Sequence, residues 1–157
     1  MTQIRGQQVV DAITMLLRDN LTDINSQRVI EGRQWIHKDF PQLNARSPRI
    51  GVELIDEPAD SGGLGTSKVI RCHVQITIVI KQKLKFDYNN DGVAEPTEDC
   101  IDYLKDQVWD LLQDNNDWFK AQLGETFIGI TPTGSHTMRN ASHVYRYIDV
   151  EALYERA

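Results

Sequence analysis

Residues 68–86 alternate apolar and polar side chains for longer than any other stretch, and this limits what the chain can fold into. Ile70, Cys72, Val74, Ile76, Ile78, Ile80, Leu84 and Phe86 share one parity, while Arg71, His73, Gln75, Thr77, Lys81, Lys83 and Lys85 share the other. Successive side chains of a strand point to opposite faces. The period therefore predicts one long strand with a core face and a polar face that turns basic toward its end. Such a strand needs neighbours along its length and a covering layer on its apolar side.

The neighbours are legible. Residues 49–57 set Ile50, Val52 and Leu54 against Arg49, Gly51 and Glu53, which predicts a half-buried strand. Between the two strands, Pro58 to Ser67 carries several glycines and no period, and reads as a mobile hairpin tip. Residues 49–86 thus form a long β-hairpin. Residues 126–131 predict another strand, and residues 142–153 a last one that sets Val144, Arg146, Ile148 and Val150 against Tyr145, Tyr147, Asp149 and Glu151. Val29, Ile30, Trp35 and Ile36 suggest a short strand within 27–37. Residues 38–48, with Pro41 and Pro48, read as an irregular crossing, and Pro132 to Ala141 as a second flexible loop.

Two helical segments supply the cover. Ile4, Val10, Ile13, Leu16, Leu17 and Leu21 recur at helical spacing over residues 4–21, with Thr2 placed to cap them. Over residues 97–114, Ile101, Leu104, Val108, Leu111 and Leu112 form a stripe. There Thr97 is placed as the cap, and Glu98 and Asp99 suit the positive end of the helix. Trp118, Phe119 and Leu123 extend the core in a short turn or helix. The expectation is a single α+β domain over residues 1–157: a mostly antiparallel sheet with a long β-hairpin and two main helices packed on one face. A hydrophobic content of 40% with five prolines suits an ordered chain of this length.

The sharpest chemical signature lies at residues 87–98. It fits the twelve-residue calcium-loop pattern D-x-[DN]-x-[DN]-G-x5-E at every specified position. Asp87, Asn89 and Asp91 supply oxygens at positions 1, 3 and 5, and Gly92 allows the sharp turn at position 6. The Val93 carbonyl stands at position 7, Glu95 at position 9, and Glu98 can bind through both oxygens at position 12. A structural Ca2+ is the cofactor this set suggests. An EF-hand needs a helix on both sides of its loop, whereas here a strand enters and there is no second copy. The other reading is an Asn/Asp/Gly-rich turn from strand to helix.

Little else carries chemistry. His37, His73, His136 and His143 share no metal-ligand spacing, and Cys72 and Cys100 form no CxxC pair. Ser135-His136 lacks a nucleophile elbow, and residues 60–67 lack the GK[ST] ending of a phosphate loop. A small metal-dependent nuclease drawn from Glu53, Asp56 and Lys81 or Lys83 has only loose spacing behind it. The net charge of −6 argues against a general nucleic-acid binder. There is no apolar run long enough for a membrane span, and no secretory signal pattern at the N-terminus. Lys81, Lys83 and Lys85 read either as a solvated strand end or as a locally positive contact surface. Tyr145 and Tyr147 are a second packed face or, if exposed, an interface.

The opening helix Ile4–Leu21, the crossing from Phe40 to Glu53, the long hairpin, the Ile101–Leu112 helix and the tyrosine-bearing last strand share an order and spacing. Together they resemble the tail terminator proteins of long-tailed bacteriophages and, more broadly, the neck and tail-completion fold. The resemblance implies a non-enzymatic structural virion protein assembled in the host cytoplasm, with no catalytic residues. It implies a ring of copies of this chain, commonly a hexamer, that caps the tail tube protein and joins it to the head-side connector protein, with genome DNA passing through the channel. The calcium-like loop is not a hallmark of that family. A calcium-binding interaction module is the alternative.

Overall fold

The computed structural model describes residues 3–25, 32–41, 43, 46–61 and 67–157. The expectations for Thr2, for Val29 and Ile30, and for the glycine-rich tip at 62–66 fall outside the described residues.

The central strand β4 (Lys68–Lys81) carries the fold. Along its length it pairs antiparallel with β8 (His143–Arg156), in register from Lys68 opposite Arg156 to Lys81 opposite His143. On its other side it pairs with β2 (Arg49–Asp56) and with the short β3 (Ala59–Ser61). The short β1 (Ile36–Lys38) runs parallel to β2 at one edge of the sheet, and β7 (Phe127–Arg139) closes the other edge against β8. The order is β1-β2-β4-β8-β7. All pairings but the first are antiparallel, which fits the α+β expectation.

Helices α1 (Gly6–Asn20), α2 (Thr97–Asp114) and α3 (Asn116–Leu123) cover the sheet. Val9, Ile13 and Leu17 of α1 and Ile101, Leu104, Val108 and Leu112 of α2 are fully buried. They pack with Ile50, Cys72, Val74, Ile76, Ile78, Ile80, Ile148 and Val150 in one apolar cluster. Each such side chain contributes about 1.5–3 kcal/mol when taken out of water. At the junction of α2 and α3, the Asn116 amide accepts a bond from the Ile130 N–H at 2.8 Å and donates to its carbonyl at 3.2 Å. It thus occupies both backbone groups of an edge-strand residue, as a further strand would.

The hairpin tip expected at 58–67 begins as strand, since Ala59–Ser61 pair with β4 as β3. Four further expectations are corrected. First, the long strand ends at Lys81, not Phe86. The chain turns at 82–84, with Lys83 at a φ of 71°, and resumes as β5 (Lys85–Phe86), which pairs with β6 (Glu95–Pro96) in a separate two-stranded sheet. Leu84 and Phe86 still pack on the core across that turn, so the apolar alternation continues where the strand does not. Second, 132–141 is no loop: β7 runs through Arg139, with irregular register between Phe127 and Gly129 and between Pro132 and Gly134. A proline and glycines fit a strand at the edge of a sheet and at bulges. Third, Thr97 does not cap α2, because its hydroxyl donates to the Leu84 carbonyl at 2.8 Å. The residue before the helix is an extended Pro96. Fourth, Trp35 ends a short 3-10 turn (Gly32–Trp35), and only Ile36 enters a strand.

Candidate interaction surfaces

The helices occupy one face of the sheet, and the other face is built from the opposite parity. Its side chains come in cross-strand rows set by the register. Asp56, His73 and Glu151 form one row, and Glu53, Gln75 and Asp149 the next. Gly51, Thr77, Tyr147 and His136 follow, then Arg49, Val79, Tyr145 and Met138.

The first rows are acidic. His73 lies between two carboxylates, with Nδ1 2.5 Å from Asp56 and Nε2 3.2 Å from Glu151. Arg71 donates to Asp60 at 2.6 Å and reaches Glu151 at 3.5 Å. Burial, and then the charge of Asp39, raise the Glu53 carboxyl above its usual range. Negative charge thus outweighs positive in this half of the face.

The middle rows are aromatic. His136 stacks on Tyr147 at 4.9 Å between ring centres, Tyr147 on Tyr145 at 6.3 Å, and Tyr145 lies 6.3 Å from Phe40. Phe40 belongs to the crossing segment, which runs over β2 at Gly51. A Cβ on Gly51 would stand 2.0 Å from the Asp39 carbonyl oxygen and 2.7 Å from the Pro41 ring. The crossing therefore covers only part of this face. Tyr145 is buried beneath it, Tyr147 is half-buried, and His136 and Met138 are exposed.

Beyond the end of β4, a cleft of about 660 Å³ opens between the segment after α1, the crossing and the β4–β5 turn. Arg46, Lys81 and Lys85 line it, against Asp23 and Asp87, with Ile24, Leu84 and Phe86 as apolar wall. Tyr88 and Tyr103, stacked at 4.3 Å, also border it.

The calcium-like loop forms the tip of the β5–β6 hairpin and leads directly into α2. Asp87 accepts bonds from the backbone N–H of Asp91 at 3.1 Å and of Gly92 at 2.9 Å, and Asp91 accepts one from Val93 at 2.9 Å. Desolvation lifts the Asp87 carboxyl, but the Gly92 and Asp91 bonds outweigh it and leave it below its usual value. Gly92 has a φ of 82°, the left-handed conformation its place in the pattern requires. Asp87, Asn89, Asp91 and Val93 stand together on this tip, and Glu95 lies in β6. Glu98 faces elsewhere: both its oxygens accept from Arg139 of β7, at 2.7 and 2.9 Å. Among the described residues, no three His, Cys, Asp or Glu side chains are grouped so as to hold a metal ion.

Glu53 and Asp56 share the open face, but Lys81 lies six residues beyond Gln75 on β4, about 20 Å away, and Lys83 sits in the turn. The nuclease grouping is not brought together.

The fold has a counterpart among solved structures. A chain of the structure titled "Virion of native gene transfer agent (GTA) particle" superposes with a TM-score of 0.53 at 12% identity, over 94% of this chain and 95% of that one. At that identity the likeness is one of fold. No family model and no curated protein matches the sequence.

Sequence reasoning missed two features of these surfaces. One is the clamp of His73 between Asp56 and Glu151, which depends on the register of three strands. The other is the Glu98–Arg139 pair, which joins residues 41 positions apart. The parity of β8 did carry a signal for the first, since it sets Asp149 and Glu151 on the side of His73.

Proposed function

We propose that this chain is a structural virion protein whose copies close into a ring that caps a tail tube and joins it to the head-side connector. The observation that carries the reading is end-to-end likeness of fold to a chain of a gene transfer agent virion particle, over 94% and 95% of the two chains. The open sheet face supports it. The helices cover one face of the sheet and leave stacked aromatic side chains on the other, a composition suited to contact with other protein. Tyrosine in particular is enriched at interfaces. The function needs no catalytic residue.

The ring commonly has six subunits in the proteins the sequence resembles, and DNA would pass through its channel without sequence-specific contact. The acidic average charge of the chain keeps that passage free of adhesion. Electron microscopy of the purified chain, alone and after addition of tail tubes, tests the reading. Closed rings seated on tube ends are expected, and isolated monomers beside bare tubes would overturn it.

A structural calcium ion at the β5–β6 tip is a second, separable proposal, supported by the fit of residues 87–98 to the loop pattern and by a loop already folded around Asp87. Glu98 would have to leave Arg139 to join it.

A further inference from the structure

We infer that copies of this chain associate head to tail, the basic cleft beyond the end of β4 in one copy receiving the acidic half of the open sheet face of the next. The inference rests on the ring reading and names the two surfaces that would make it.

The charge distribution motivates it. The chain carries a net charge of −6, yet Arg46, Lys81 and Lys85 converge on one cleft. Two carboxylates, Asp23 and Asp87, share its walls, and Asp87 turns its oxygens to the N–H groups of its own loop. Lys81 and Lys85 are exposed, and neither has a carboxylate partner among the described residues. On the open face, Glu53 likewise has no cationic partner among the described residues, and the Asp149 carboxylate accepts a 3.4 Å bond from the neutral Gln75 amide.

The geometry explains why the two poles do not neutralise each other within one copy. Both lie along β4, the acidic rows at His73 and Gln75 and the basic end at Lys81, and six strand residues span about 20 Å. That exceeds the screening length of about 8 Å at physiological ionic strength. A surface of one sign at one end and of the other sign at the opposite end is satisfied by a neighbour in the same orientation. Such a contact uses different patches on the two partners, and it closes into a ring when the rotation between them divides the circle. An antiparallel two-fold pair would also set opposite signs together, but it stops at two copies, so the mass of the assembly separates the two arrangements.

The test is a charge swap read by mass in solution. Wild-type chain should form a species several times 18.0 kDa that dissociates in about 1 M salt, where the screening length falls to about 3 Å. The Lys81→Glu/Lys85→Glu variant and the Glu53→Lys/Asp149→Lys variant should each lose the assembly and run at 18.0 kDa, with unchanged circular dichroism. Combining all four substitutions in one chain should restore it, as should mixing the two double variants. Assembly that ignores both salt and the double variants would overturn the proposal while leaving the ring standing. So would a folded fourfold variant that stays monomeric. A wild-type chain that never self-associates, with or without tail tube, would overturn the ring reading and this contact with it.

Discussion

His73 binds its proton more tightly in the folded chain than an exposed histidine does. Burial pulls its pKa down, but hydrogen bonds to Asp56 and Glu151, and their charges, raise it by more, so the net shift is upward. A raised folded value means that the protonated clamp stabilises the fold fully below the unfolded pKa of about 6.5, and that this contribution is lost as pH rises through the folded value. The side chain is 40% exposed, so solvent screening keeps the effect modest. Melting points measured across neutral pH should fall with rising pH in the wild type more than in His73→Gln. Parallel curves would show that the clamp carries no linkage. Arg139 is the second informative residue. Its two bonds hold the Glu98 carboxyl below its usual range, with desolvation opposing. Exposed pairs of this kind are screened by solvent and contribute little, so Arg139→Gln should change stability little. It should free Glu98, and calcium should then raise the melting point more than in the wild type. Magnesium should do less, since it demands tighter octahedral geometry. Melting points that are the same in calcium and in chelator for both chains would leave the loop as a hydrogen-bonded turn.

At the scale of elements, the crossing segment is the part most dependent on a single residue. Asp39 to Pro41 lies directly on the backbone of Gly51, and the Asp39 N–H bonds the Val52 carbonyl at 3.0 Å. Gly51→Ala must push that backbone away. A loss of about 1–3 kcal/mol in urea unfolding is expected, as for other overpacked sites. An unchanged midpoint would mean that the crossing is free to shift. Periodicity located most elements: α2 was expected at 97–114 and is found there, and β2 ends at Asp56 within one residue of expectation. It failed where local pattern and long-range pairing disagree. Pro132 and Gly134 look like loop residues because their chemistry suits turns, yet β8 offers a ladder through Arg139 and the edge position requires no donor from the proline. Leu84 and Phe86 look like a continued strand because they do pack inward, but Leu84 does so from the turn and Phe86 from a second small sheet. Of the surfaces, the aromatic and acidic rows were foreshadowed by strand parity. The cleft was not, because its walls come from three segments distant in sequence.

For the whole molecule, a one-sided helical cover and a two-ended charge distribution lead to the same expectation. The helix-free face exposes His136 and Met138 beside half-buried Tyr147, and its acidic rows lie far along β4 from the basic cleft. Such a subunit leaves surface of both signs unsatisfied when alone and satisfies it in a closed ring. Native mass measurement of the purified chain, alone and with tail tubes added, tests this claim most directly. The account predicts a discrete closed assembly at a whole-number multiple of 18.0 kDa that persists on dilution better than an open chain of subunits would. A strict 18.0 kDa monomer at high concentration, unchanged by the tube, would contradict it.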